Sequence, residues 1–371
     1  MIQSGSENYQ SRQEISIALD ELFGARLEVF STSSGNISSI EFSVKFPNAT
    51  VLNEQILDKV LFFSSDLVFN SVFDSKVFEV EKNNLIDEYR QILDDKSNLA
   101  FLNARQHFFL DKHYQQFDIG DLEEISGTTL EDIEQEYREF LVNNKVDISY
   151  VGTDSINQSF FKKFNNKIPK LSFKPEYQFK DYNETEIYDD VDQSQMVQLY
   201  LFENFVYSPK NFFVAKVFNE IFGGNASSLL FRNVREKLHL AYSVNSWTEI
   251  PFGIFYVSAG FDNGTRNVLL REIDEQLKNV QNQEIDLELF MTAKKTILDR
   301  EKKRSDNISF LARSIIQTKY SQIPFDPLEV KKILDGIELK DVVLLSRTIK
   351  LKQQSIVISK DDDEKTTNIR R

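Results

Sequence analysis

Apolar residues fall at helical spacing as soon as the chain settles into a pattern. In "SRQEISIALDELFGA", Ile15, Ala18, Leu19 and Leu22 occupy i, i+3, i+4 and i+7, behind a capping box from Ser11 to Glu14. Gly24 sits where such a helix stops. The period then changes to two. Ile40, Phe42, Val44 and Phe46 alternate with polar residues, and Gly35-Asn36 supplies a turn, so residues 25–46 predict a hairpin. Helical periodicity returns near 51–70, 75–94, 97–111 and 129–144, the last entered through Thr128 and Glu131. "VDISYVGT" (146–153) reads as a buried strand ending at Gly152, with a short helix after it. "NNKIPKLSFKP" reads as a linker and places a boundary near 170–175.

The second half repeats the plan. Strands near 182–190 and 194–204 lead to the apolar helix "NFFVAKVFNEIFGG", with Phe212, Phe213, Val217, Phe218 and Phe222 as a core stripe and Gly223-Gly224 as its stop. Residues 225–261 then read as a helix followed by a hairpin, matching residues 8–46 at an offset of roughly 216. Helices near 264–281, 285–304, 308–319, 328–336 and 339–347 follow, then the strand "QSIVISK". The expectation is an α+β chain of two tandem homologous domains, each a mainly antiparallel sheet covered by helices. They span 1–172 and 173–359, with a charged, unpatterned tail over 360–371 read as frayed. In the second half two strands and a helix precede the helix–hairpin unit; in the first half that unit begins almost at Met1. Either the first domain lacks its initial strands and helix, or the true chain is expected to begin upstream; a sheet short of those neighbours exposes an edge and an apolar face that something should cover.

Composition narrows the function classes. A hydrophobic fraction of 41% with 32 phenylalanines among 371 residues supports folded cores. The formal charge of −14 argues against nucleic acid or an anionic membrane surface as the main partner and favours basic ligands such as cationic peptides. The absence of cysteine fits a reducing compartment, and the amino terminus lacks the apolar stretch of a signal peptide, so a cytoplasmic location is expected. No apolar run approaches the length of a membrane span.

Two stretches carry chemistry. "GGNASSLLFRNVREKLHLAYSV" sets Arg235 seven positions ahead of Tyr242 across a helix–strand junction, and "FDSKVFEVEKNNLIDEYRQILDD" sets Glu81 and Glu88 seven apart, on one helix face. With the tandem α+β halves, these stretches resemble the insulinase/pitrilysin-type zinc metallopeptidases over nearly the whole chain, and most of all the bacterial two-chain processing peptidases. The resemblance implies a first-half helix bearing H-x-x-E-H, whose histidines bind zinc and whose glutamate activates water. It also implies a third ligand from an E-x6-E pattern, which Glu81 and Glu88 match with Glu88 at the ligand position. The H-x-x-E-H helix has no counterpart here. His107, His113 and His239 show no such spacing, so this chain is expected to bind no cofactor itself, with zinc in a partner and Glu88 a vestigial ligand position beside Glu81. By the same resemblance Arg235 and Tyr242 bind the peptide backbone and support the oxyanion.

The residues alone also admit plainer readings. Arg-Glu-Lys on a helix serves as a solvated face, a tyrosine opening a strand as packing, paired glutamates as surface carboxylates, and "REKKRSDN" (300–307) as a solvated helix end. The expected function is a non-catalytic subunit of a heterodimeric zinc metallopeptidase that matures peptides, working with an H-x-x-E-H-bearing subunit and a peptide substrate, with no catalytic residue of its own acting alone. The rival is a peptidase-fold binding or assembly protein with no role in hydrolysis.

Overall fold

In the computed structural model of the chain, residues 2, 4–34, 37–52, 54–156, 176–189 and 193–359 are described. The expected turn at Gly35-Asn36, the helix after Gly152, the linker at 165–175 and the tail at 360–371 lie outside them. The described elements run α1 (Arg12–Glu21), β1 (Arg26–Ser34), β2 (Ile37–Lys45), α2 (Ala49–Leu52), α3 (Leu57–Phe69), α4 (Ser75–Asp94), α5 (Lys96–Phe108), α6 (Lys112–Gln115), α7 (Leu122–Gly127) and α8 (Leu130–Asn143). Then come β3 (Asn183–Asp189), β4 (Ser194–Phe202), α9 (Pro209–Phe222), a π-helix (Leu230–Lys237), β5 (Ser243–Glu249) and β6 (Ile254–Phe261). Helices α10 (Arg266–Gln281), α11 (Leu287–Ser305), α12 (Ile308–Ser321), α13 (Pro327–Asp335) and α14 (Leu339–Ser346) precede β7 (Ile349–Ser359). No helix among the described residues is long and apolar enough to cross a membrane.

The chain divides into two compact units that are not consecutive halves. Residues 1–89, 118–173 and 307–320 form the first; 90–117, 174–306 and 321–371 form the second. Each unit thus takes a helix from the other half of the sequence, α12 joining the first and α5 the second.

In the first unit, Ser11 caps α1 by accepting from the Glu14 amide, while the Glu14 carboxylate accepts from the amide of Gln10 at 2.8 Å. Phe23 and Gly24 both take the left-handed conformation that turns the chain into β1. Ile15 and Ala18 of α1 and Leu22 just after it pack with Val60, Phe63 and Leu67 of α3 against Leu27, Phe42 and Val44 of the hairpin. Arg313 of α12 pairs with Glu41 at 2.7 Å and lies over the Phe30 ring. The hairpin is the only sheet of this unit among the described residues, against five strands in the second unit.

Two expectations are corrected here. Residues 146–153 form no strand. Asp147 instead accepts from Lys319 at 2.7 Å and from Tyr320, and Tyr150 stacks on Phe46, so side chains rather than a ladder hold the segment. Helix α8 is capped by Thr129 and Asp132 rather than Thr128 and Glu131, because the Thr128 hydroxyl is already donated to the Glu124 carbonyl at the end of α7.

The second unit is built on one sheet in the order β3-β7-β4-β6-β5, antiparallel except for β3 against β7. Both faces are covered, which explains the nearly continuous apolar run of β6 and its uniform burial. On one face Met196, Phe255, Val257 and Ile356 meet Phe213, Val217, Phe218 and Phe222 of α9 in the larger core. On the other, Val197, Leu199, Tyr256 and Val357 meet Ala100, Ala104 and Phe108 of α5.

The small alanines let α5 approach closely, and polar contacts fix its register. Ser97 bonds Ser258 at 3.0 Å, Asn103 accepts from Ser355 at 2.9 Å, and Arg105 reaches both Glu249 carboxylate oxygens at 2.9 and 2.8 Å and the Tyr256 hydroxyl at 3.0 Å.

Candidate functional site at the π-helix to β5 junction

The segment between α9 and β5 begins with two glycines that do more than stop a helix. A Cβ on Gly223 would lie 2.6 Å from the Ser246 hydroxyl oxygen, and the Gly223 carbonyl accepts from the Ser246 amide at 3.0 Å. The turn is therefore sewn onto β5 at a distance only glycine allows. Residues 230–237 then form a π-helix, with Leu230 and Val234 fully buried as its anchors. Sequence periodicity reads this stretch simply as a helix; the wider winding shows in the Leu238 amide bonding the Asn233 carbonyl, five residues back, at 3.1 Å. Asn233 also donates to Gln276 of α10 at 2.6 Å, tying the π-helix to the helix beside it.

Arg235 follows buried Val234 and faces outward, its side chain 43% exposed. The guanidinium lies 4.8 Å from the Phe231 ring centre, and its nearest carboxylate is Glu236 at 3.8 Å. Stacking orients the group while leaving most of its donors directed to solvent. The chain then turns through His239, which is left-handed, buries Ala241, and opens β5 after Tyr242. The Tyr242 amide donates to the Gly260 carbonyl at 2.8 Å, so its backbone is fixed by β6. Its side chain is 52% exposed, and its hydroxyl donates to Asp262 at 2.7 Å. That hydrogen bond, and then the Asp262 charge, raise the phenol above its ordinary pKa.

The junction thus presents a guanidinium and a phenol on fixed backbone, both open to solvent. Such donors suit a peptide carbonyl or carboxylate. Asp262, Phe231 and Gln276 are the supporting residues that spacing did not reveal. The D-N-G-T turn after β6 and the antiparallel register together bring Asp262 to Tyr242, but only pairing of the two strands makes that visible.

Glu81 and Glu88 lie on α4 in the first unit. Glu81 is paired with Arg12 of α1, and Glu88 is exposed. Of the histidines, His107 is on α5, His113 on α6, and His239 beyond the π-helix. Among the described residues no group of three or more His, Cys, Asp or Glu could hold a metal.

Residues 128–297 match the family described as Peptidase M16 inactive domain. The chain is similar to a Bacillus subtilis protein described as a probable inactive metalloprotease, YmfF, 22% identical over 94% of this chain and 84% of that one. Among solved structures, a conserved protein from Enterococcus faecalis has a TM-score of 0.83 at 20% identity, covering 97% of this chain and 88% of that one. A peptidase M16 inactive domain from Pseudomonas fluorescens has a TM-score of 0.73 at 16% identity, covering 97% and 86%. Likeness at these identities bears on the fold. The chain is an inactive M16-like peptidase-fold protein, the insulinase-type architecture expected from its tandem halves.

Proposed function

We propose that this chain is the metal-free subunit of a two-chain zinc peptidase that matures peptides, lending Arg235 and Tyr242 to a substrate held by an H-x-x-E-H-bearing partner. The observation that carries this reading is the exposure of both donors at one rigid junction. Groups evolved for packing alone would bury more of a tyrosine ring and would neutralise the arginine more closely. In this reading Arg235 and Tyr242 donate hydrogen bonds to the substrate carbonyl oxygen as it gains negative charge, and the metal chemistry belongs to the partner. Tyr242 must leave Asp262 to do so, exchanging one acceptor for another.

The relatives' description as inactive supports a non-catalytic role for this chain. The test titrates the purified chain into a zinc-bearing M16 subunit from the same cell and follows cleavage of a peptide. Saturable stimulation is expected; a partner that cleaves equally well alone contradicts the reading. The engagement of Tyr242 by Asp262 favours a second reading, in which the junction is structural and the chain serves as a binding or assembly protein. That reading predicts a stable complex in which both side chains can be replaced without changing turnover.

A further inference from the structure

At the end of β5 remote from Tyr242, about 20 Å along the strand at ordinary strand rise, the second unit opens into a groove of about 820 Å³. Its walls come from the residues after α5, the stretch 176–178, the end of β4 and the turn before β6. Tyr177, Phe205 and Phe252 contribute rings, and Asp111 and Glu176 contribute carboxylates. The aromatic wall is braced from behind. Phe252 meets Tyr114 at 5.1 Å, Tyr177 at 5.5 Å and Phe109 at 5.7 Å, and the Tyr177 hydroxyl donates to the Phe252 carbonyl. Asp111 spends one oxygen capping α6 through the His113 amide at 2.9 Å. Among the described residues no cation neutralises either carboxylate.

Buried Tyr114 registers both charges: burial raises its phenol first, and Asp111 and then Glu176 raise it further.

We propose that this groove docks an arginine side chain of a cationic peptide. Two acidic residues and three aromatic residues lining one groove offer a guanidinium both of its preferred kinds of contact, carboxylate acceptors and aromatic rings. The same unit already holds a guanidinium in this way. Arg105 stacks 5.0 Å from the Phe109 ring centre while pairing with Glu249. The volume suits a side chain with its neighbouring backbone, and the −14 net charge draws cationic chains toward the molecule. A peptide thus has a foothold on this subunit that owes nothing to Arg235 or Tyr242.

The test is calorimetric titration of the full chain at low salt with the amidated peptide acetyl-Gly-Arg-Gly-Arg-Gly. Its citrulline counterpart, which keeps shape and loses charge, is expected to bind at least tenfold more weakly. The double variant Asp111→Asn with Glu176→Gln should weaken the arginine peptide at least tenfold; asparagine at 111 keeps the helix cap, and circular dichroism checks the fold. Equal affinity for the citrulline peptide, unchanged binding by the folded double variant, or no saturable heat at millimolar peptide each overturns the proposal. Spermidine binding as tightly as the peptide overturns the assignment to arginine. No zinc-bearing partner enters the assay, so its failure leaves the shared-site reading untouched.

Discussion

Tyr242 gives its hydroxyl hydrogen to Asp262, and that contact governs what the side chain can do next. Replacing Asp262 with asparagine should bring the Tyr242 phenol back toward its ordinary pKa, because the accepting carboxylate and its charge are both removed. Ultraviolet titration of the wild type against the variant reads this directly. Arg235 and Tyr242 themselves were legible from the sequence as a spaced pair. Their partners were not, since Phe231 reads as core and Asp262 as a turn residue until strand register brings it to the tyrosine. Gly223 is a similar case. A double glycine after an apolar helix reads as a stop, whereas the 2.6 Å clearance to Ser246 shows a close approach to β5 that only the folded chain contains.

At the scale of elements, polar side chains decide where helices lie. Arg105 links α5 to the sheet through Glu249 and Tyr256, so Arg105→Ala strands a largely buried carboxylate and should cost about 3 kcal/mol, measured by urea unfolding. In the first unit, Asp66 of α3 accepts from Ser6 at 2.5 Å and from Asn8 and Asn70 at 2.6 and 2.9 Å, pinning the segment before α1. Burial alone would raise this carboxyl; the hydrogen bonds from Ser6, Asn70 and Asn8 outweigh it and hold the pKa below the ordinary value. A depressed folded pKa means the stabilisation is full above the unfolded value, about 4, and is lost as pH falls through the folded value. Acid unfolding should therefore lose part of its steepness below about pH 4 in Asp66→Asn, and an identical acid limb in the variant would contradict this.

Amphipathic spacing placed most helices within a few residues, because apolar periodicity records which face is buried. The reading of 146–153 as a buried strand failed, because Asp147 is engaged by Lys319 and Tyr320. The cap was read a residue out at α8, where Thr128 and Thr129 are equivalent in sequence and differ only in which helix each caps.

Over the whole molecule, local pattern could reveal two repeats but not the exchange of α5 and α12 between units, which depends on contacts distant in sequence. The contrast between a two-stranded and a five-stranded sheet among the described residues gives the first unit far less core than the second. The most direct measurement is turnover by the zinc-bearing partner saturated with wild-type chain or with Arg235→Ala/Tyr242→Phe, with complex formation checked by sedimentation. The account predicts an intact complex whose turnover falls roughly 10²- to 10³-fold, the loss typical of removing oxyanion donors. An intact complex that turns over at the wild-type rate would contradict it.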